Sequence, residues 1–526
     1  MPSLAASEGA LAAHEPLNAT TVSYPSHSSV PELFDLAVSR FPHAIALVHN
    51  TRRVSYLELD HLSNGLADDL VSRGVRAGDA VGVGIERSPA LVVALLAVLK
   101  CGAAYVPFDR SWPQRRLGEV FRLAGCVGLL SDRVDLVAAT PGRWLLQVDD
   151  SSVVPSQSGP GTVVEPTAIA YVNFTSGSTG RPKAVPIQHR SITRLVYASR
   201  YARLDAQTTL LQLAPAHFDA ATFEIWGALL HGGTCVLYPS AFLRLSELRH
   251  VLATDGITVL FLTTVLFNTI LDEAPEMLAG LETLLTGGEA HSIGHMSRAV
   301  ERYGPERVVS VYGPTEPTTF ATFYPVREVD TDQAAFPIGR PVQNTRAYVV
   351  CDGRLCEPGE TGELLLAGPG LSPGYLGMPD LTRQRFVNLD IGGRRERLYC
   401  TGDLVYLSDR GDLVFMGRQD DQVKVNGFRI ELGEISFHLD QSDDVKQSYV
   451  TVDQTGSGEK TLIAFVVPAT GSCTAEAVLR HLRARLPGYM LPATVHVRAH
   501  LPITATGKVD RQALLAGIAS DERVLR

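Results

Sequence analysis

The chain has 526 residues, too many for one ordinary core, so two or more domains are expected. Hydrophobic residues make up 45% and charged residues 20%, a globular balance that excludes a disordered or fibrous chain. The net charge is −9 with no long basic run, which argues against a nucleic-acid binder, because neutralising phosphates takes clustered Lys and Arg.

Residues 1–29 are rich in Ala, Ser, Pro and His. They lack a basic start followed by an apolar run, so they read as a loose tail and not as a secretory signal. Ala80 to Ile85 reads as a buried strand, and Pro89 to Lys100 as a helix whose apolar positions recur every three or four residues. Further strand-like runs are Ala168–Phe174, Thr209–Leu213, Val259–Leu262 and Leu364–Leu366. Gly/Pro punctuation between short apolar runs and amphipathic stretches is the pattern of α/β layering.

The last hundred residues change texture. Gly411 to Ile435 is dense in charge and in short alternating strands, followed by a strand-like Thr461–Val467 and a helix-like Ala475–Leu486. This predicts a large α/β domain of several sheets over 30–419 and a small mobile α+β domain over 420–526. No proline-rich linker separates them, so the joint is short, as expected of a hinge. No internal repeat occurs. No apolar stretch reaches the roughly 18 residues a bilayer demands, so no membrane association is expected. The seven cysteines form no CxxC and no His pair has metal-ligand spacing. Reduced thiols, a cytoplasmic location and no metal beyond one carried by a nucleotide are the expectation.

The sharpest local signal is Phe174-Thr175-Ser176-Gly177-Ser178-Thr179-Gly180-Arg181-Pro182-Lys183, directly after a strand-like run. Its hydroxyls and glycines allow backbone N–H groups to converge on an anion without side-chain obstruction. The spacing is not that of the P-loop of nucleotide hydrolases. Composition alone also allows an ordinary Ser/Gly connector.

This loop closely resembles the phosphate-binding signature of the adenylate-forming superfamily, which includes acyl-CoA ligases, firefly luciferase and the adenylation domains of nonribosomal peptide synthetases. Further stretches resemble that family's motifs in order, from about residue 30 to 515. They are Ser55–Leu59, Leu99–Asp109, Phe218–Trp226, Tyr312–Glu316, Gly362–Leu364 through Gly374-Tyr375, Tyr399–Asp403, Gly417–Lys424 and Leu501–Arg511. The best match is to peptide-synthetase adenylation domains.

The resemblance implies a use for each residue type. A carboxylate attacking the α-phosphorus of ATP brings two anions together, so catalysis is positioning plus electrostatic stabilisation. By resemblance, Lys508 is the catalytic cation bridging carboxylate and phosphates, and Glu316 holds Mg²⁺, a hard cation suited to carboxylate and phosphate oxygens. Thr175, Ser176, Gly177, Ser178, Thr179, Gly180 and Lys183 bind the phosphates. Thr315 touches the α-phosphate, Asp403 accepts from the ribose hydroxyls with Arg418 nearby, and the Tyr312 ring stacks on adenine. Asp420 matches the hinge that swings the small domain for thioester formation, Gly427 the glycine beside the pantetheine arm, and Phe218 the gate of its tunnel. Taken singly, a lone lysine such as Lys508 is far more often a solvated surface residue, and the ATP-site residues could equally be structural turn residues.

An amino-acid ammonium loses its hydration in a pocket and needs an anion there. Asp219 is that anion by resemblance, a helix-capping Asp being the alternative. The family's pocket-lining positions fall on Ala220, Phe223, Phe261, Leu285, Gly287, Val311, Thr319 and Phe320. None is charged, which disfavours a charged substrate side chain. Phe223, Phe261 and Phe320 narrow the space and Gly287 leaves depth, so the valine, isoleucine or 2-aminobutyrate class fits best. No carrier motif with a phosphopantetheine serine occurs, so the thiol is expected on a separate carrier protein. A small activator protein is a second partner that the resemblance leaves open. The rival readings are a coenzyme A ligase for a small acid, a luciferase-like oxygenase and a catalytically silent binding homologue.

Overall fold

The computed structural model describes residues 3–136, 142–177, 180–331, 333, 335–454, 460–469, 473–504 and 509–518. Lys508, Ser178 and Thr179 lie outside the described residues. The chain divides into two compact units: the first holds 1–110, 121–173 and 184–419, and the second holds 111–120, 174–183 and 420–526.

The first unit is built on parallel strands. One six-stranded sheet runs in the order Trp144–Gln147, Cys126–Ser131, Ala80–Gly84, Ala104–Pro107, Ile169–Thr175 and Lys183–Gln188. The helix Pro89–Lys100 connects two of its neighbouring strands and is buried along its whole length, because eleven of its twelve residues are apolar. Ser88 caps it by accepting from Leu91 N, and Pro89 occupies its first turn. A second parallel set joins Thr234–Leu237, Thr209–Gln212, Val259–Thr263, Thr283–Gly287 and Val308–Tyr312. Antiparallel strands continue that sheet through Thr322–Pro325 and Pro337–Pro341 to Leu413–Arg418 and Arg394–Leu407.

The head of the chain corrects the loose-tail expectation. Ser3–Leu4 pairs in parallel with Asp390 and Ile391, and Glu8–Leu17 is a helix capped by Ser7. Leu4 and Ala10 pack with Tyr348, Leu355, Ile391 and Leu398. Thr20 Oγ1 donates to Thr345 O at 2.6 Å, and Asn344 Oδ1 accepts from Val22 N at 3.0 Å. A few apolar positions suffice because the surface that receives them comes from residues over 300 positions away.

The second unit contains a hairpin, Gln422–Val425 with Phe428–Glu431, and a sheet of Val445–Gln454, Lys460–Pro468 and Thr494–Val497. The helices Leu432–Asp440 and Ala475–Arg483 bury Ile435, Leu439, Val478 and Leu482 against that sheet. Asn426 and Gly427 both have positive φ, 53° and 82°, the pattern of the Asn-Gly type I′ turn that suits a two-residue hairpin. Gly427 therefore has a local backbone reason to be glycine, besides any role toward a thiol arm.

Candidate active site

In the first unit, the end of the strand Val308–Tyr312 carries Tyr312 toward the facing strand pair Asp403↔Arg418. The Tyr312 hydroxyl and the Arg418 guanidinium both donate to the Asp403 carboxylate, one to each oxygen. Asp403 is 4% exposed, and Thr401 Oγ1 accepts from its N–H at 3.0 Å. Burial first, and then the Asp403 charge, push the Tyr312 phenol well above its ordinary range. The three residues expected at ribose and adenine are thus brought together.

The segment after Tyr312 is backbone under constraint. Thr318 and Thr319 sit at φ 63° and 64°, a left-handed conformation rare for β-branched residues that costs roughly 1–3 kcal/mol each. A Cβ at Gly313 would lie 2.1 Å from Thr319 O, so the tight loop demands glycine there. Arg194 holds the loop: its fully buried guanidinium donates to Phe320 O at 2.8 Å, to Thr318 O at 3.1 Å and to Pro317 O. Burial lowers its pKa to about 10.

Within that loop Glu316 is fully buried and its Oε1 accepts from the Tyr375 hydroxyl at 2.8 Å. One oriented, desolvated carboxylate suits Mg²⁺, which keeps water and phosphate oxygens for its other positions. Thr315 is half-buried beside it in sequence. A different trio, Cys351, Cys356 and Glu360, brings ligand atoms within 4.8 Å of one another, but Arg354 donates to both Glu360 oxygens at 2.6 and 3.1 Å.

Four of the positions expected to line the pocket share one face of the sheet. Register pairs Phe261 with Leu285 and Gly287 with Val311, and the two-residue repeat points all four to the same side of the sheet. The helix Ala220–Leu229 adds buried Ala220 and Phe223, and the constrained loop adds buried Thr319 and Phe320. Phe320 meets Phe223 at 5.3 Å and Phe261 at 5.6 Å between ring centroids. A Cβ on Gly287 would strike Val311 O at 2.1 Å, so strand packing by itself demands glycine there. Asp219 stands half-buried at the start of the helix, and among the described residues its side chain makes no capping hydrogen bond, so the helix-cap alternative finds no support. Its backbone carbonyl accepts from Thr319 Oγ1 at 2.9 Å. Phe218, one residue earlier, is half-buried with its ring 4.8 Å from that of His217.

In the second unit, two carboxylates occupy donors of the Ser/Gly loop. Glu434 Oε2 accepts from Gly177 N at 3.0 Å, and its Oε1 from Arg116 at 2.7 Å. Glu431 Oε1 accepts from Lys183 Nζ at 2.8 Å and from Gln422 at 2.6 Å. Ser176 Oγ accepts from Glu431 N at 3.0 Å and donates to Arg429 O at 2.9 Å. Thr175 Oγ1 is buried without a partner among the described residues. Gly177 cannot carry a side chain, since a Cβ would lie 1.9 Å from Arg181 O. A Cβ on Gly180 would meet the Phe437 ring at 2.1 Å. A backbone N–H and an ammonium of the loop thus both donate to carboxylate oxygens of this chain. Asp420 accepts from Gln422 N at 3.4 Å at the start of the hairpin.

Residues 34–376 match the AMP-binding enzyme family and 438–508 match the AMP-binding enzyme C-terminal domain. The chain belongs to the AMP-binding enzyme family. Among curated relatives, a linear gramicidin synthase polypeptide of Brevibacillus parabrevis is 41% identical over 94% of this chain and 6% of its own length. This chain thus spans a small part of such a relative. The solved structure of holo-PA1221, an NRPS protein containing adenylation and PCP domains bound to a vinylsulfonamide inhibitor, superposes with a TM-score of 0.85. It is 34% identical, covering 94% of this chain and 84% of that one. NpsA-ThdA, an artificially fused adenylation–PCP di-domain from Klebsiella oxytoca, gives a TM-score of 0.82 at 30% identity, covering 90% and 94%. The fold is that of adenylate-forming enzymes, a large α/β part with a small C-terminal part, and the chain is an adenylation domain of the peptide-synthetase kind. Among the described residues no helix is long and apolar enough to cross a membrane.

The residues that sequence reading missed are Arg194, Arg116, Glu431 and Glu434. Glu431 and Glu434 lie in the charge-dense stretch already noted, but nothing local shows which donors they meet. Arg194 sits in an amphipathic helix, where an arginine reads as solvated until the loop it holds is seen.

Proposed function

We propose that this chain activates a small or branched aliphatic amino acid of the valine, isoleucine or 2-aminobutyrate class. The substrate carboxylate attacks the α-phosphorus of ATP and pyrophosphate leaves; a phosphopantetheine thiol on a carrier protein then attacks the acyl carbon of the aminoacyl-AMP, forming the thioester and releasing AMP. The observation that carries the substrate class is the buried, uncharged wall of Phe223, Phe261, Leu285, Val311 and Phe320 with Asp219 at its helix start. An ammonium pairs with Asp219, while a charged side chain among the phenylalanines would lose its hydration without compensation.

In this reading Asp403, with Arg418 and Tyr312, holds the ribose and adenine, and Thr315 and the Ser/Gly loop orient the phosphates. Mg²⁺ held by Glu316 would neutralise phosphate charge. Lys508 stabilises the negative charge that develops between carboxylate and phosphate, and Asp420 is the hinge about which the small C-terminal part turns between half-reactions. Gly427 and Phe218 border the path of the thiol arm. The relatives' carrier domains support a carrier as thiol donor.

Amino-acid-dependent exchange of pyrophosphate into ATP, run over all proteinogenic amino acids plus 2-aminobutyrate, tests the reading. Strongest exchange is expected with valine, isoleucine or 2-aminobutyrate, and near-background exchange with lysine, aspartate, glutamate and tryptophan. Strong activation of a charged or bulky aromatic amino acid overturns the pocket assignment. Turnover with free coenzyme A and acids lacking an amino group points instead to a coenzyme A ligase.

A further inference from the structure

Tyr201 is 2% exposed and belongs to none of the nine positions that line the amino-acid pocket in the reading above. Its ring nevertheless packs on two of the three phenylalanines there. Its centroid lies 5.4 Å from Phe320, edge-on at 84°, and 5.8 Å from Phe223. It also lies 6.2 Å from Phe323, whose strand position pairs with Val311. The Tyr201 hydroxyl donates to Leu195 O, which anchors the ring on the helix segment that also carries Arg194.

Tyr201 also lines a half-open cavity of about 990 Å³ together with Thr283, Val309, Phe323, Arg340 and Asp412, with further charged residues around them. Thr283, Leu285 and Gly287 alternate with the strand's pleat, so all three face the same side of the sheet. Gly287 is at the substrate end and Thr283 at the cavity end, about 13 Å apart at the rise of an extended strand. Leu285 and Val309 pair between them. Pocket and cavity are therefore neighbours along one face, and Tyr201 touches both the phenylalanine cluster and the cavity.

We propose that Tyr201 is a specificity-determining positioning residue, a partition that holds Phe320 and Phe223 forward and closes the amino-acid pocket against that polar cavity. Close-packed rings move little while their backing is present. Without that backing, Phe320 and Phe223 gain a void into which they can turn, and the pocket deepens. A larger ring in place of Tyr201 pushes them the other way. The inference rests on the pocket reading and adds to it the residue that sets pocket depth from outside.

The test is pyrophosphate exchange by the full chain carrying Tyr201→Leu, Tyr201→Phe or Tyr201→Trp, with Phe320→Ala as control. Alanine, 2-aminobutyrate, valine, leucine and phenylalanine are the substrates. Tyr201→Leu is expected to lower the ratio of kcat/KM for valine to that for phenylalanine by about tenfold or more, the range that one or two methylenes provide. The KM for ATP should stay unchanged, a split that a merely structural residue would not produce. Tyr201→Phe keeps the ring and retains the wild-type ratio. Tyr201→Trp shifts preference toward 2-aminobutyrate and alanine, which keeps the test open if the leucine variant fails to fold. If Phe320→Ala broadens specificity while an active Tyr201→Leu or Tyr201→Trp leaves the ratios unmoved, the partition role is overturned and the pocket stands. If Phe320→Ala is also without effect, the pocket reading falls and the inference with it.

Discussion

Arg194, with no solvent exposure, donates to the backbone carbonyl of Phe320 at 2.8 Å, tying a buried charge to the loop that carries Thr319 and Phe320. The same guanidinium reaches Thr318 O at 3.1 Å, so one side chain holds two consecutive left-handed threonines in place. A rigid, planar fork is needed for this, because three carbonyls must be met from one direction.

Arg194→Lys should therefore destabilise the protein strongly. A lysine ammonium cannot span the carbonyls that the fork reaches, and lost hydrogen bonds to a charged donor are worth about 1.5–3 kcal/mol each. Chemical denaturation should show a loss on the order of 3–5 kcal/mol, and the surviving enzyme should have a raised KM for the amino acid. A change within 0.5 kcal/mol or so, the range of ordinary surface substitutions, would show that the loop is held by other contacts.

Asp219→Ala should raise the KM for the amino acid far more than that for ATP, because it removes the counter-charge of a desolvated ammonium. The helix should be little disturbed, since the Asp219 side chain makes no capping bond among the described residues. Unchanged amino-acid dependence in steady-state exchange kinetics would make Asp219 structural.

Glu434 and a nucleotide phosphate cannot both use the N–H of Gly177. Glu434→Gln removes the competing charge from the loop and should tighten ATP binding several-fold by calorimetry. It also leaves Arg116 without its carboxylate, so thermal stability of the nucleotide-free protein should fall while the stabilisation given by added ATP grows. Weaker ATP binding in a folded variant would mean that Glu434 supports the loop and does not block it.

Lys508→Ala should nearly abolish adenylate formation, on the order of a hundredfold or more if it supplies one preorganised charge at the transition state. Thioester formation from preformed aminoacyl-adenylate should survive. An equal fall in both half-reactions would contradict a lysine that acts in one conformation only.

Glu224 gives a pH signature. It is fully buried, its Oε2 accepts from Leu213 N at 3.1 Å and Ala214 N at 3.0 Å, and burial pushes its pKa up to about 8. A carboxyl raised from about 4.5 to about 8 binds its proton more tightly in the folded state. Its contribution to stability is full below about 4.5 and is lost as pH rises through about 8. Melting curves from pH 5 to 9 should show that decline, and Glu224→Gln, which keeps an acceptor and cannot ionise, should flatten it. An unchanged slope in the variant would assign the pH dependence elsewhere.

Much of this protein is local and therefore legible without a fold. Pro89–Lys100 forms the helix expected of it to the residue, since eleven apolar residues behind a Ser-Pro start leave little alternative. The strands Val259–Thr263 and Thr209–Gln212 likewise follow from short apolar runs, and the ordered motifs point to an adenylate-forming enzyme because each is a contiguous stretch. The tertiary structure alone decided the rest. Whether Ser3–Leu17 is loose depends on the distant strand Phe386–Ile391 that receives it. Phe223, Phe261 and Phe320 become neighbours only through strand register and the loop held by Arg194, and Tyr201 packs on Phe223 and Phe320 from a segment with no motif of its own. The carboxylates of Glu431 and Glu434 reach donors of the Ser/Gly loop from about 250 residues away. Hydrophobic periodicity and turn chemistry act over a few residues, so the sequence displays them directly. Packing partners and charge pairs are chosen by the folded chain, and no local pattern encodes which distant group will fill a given space.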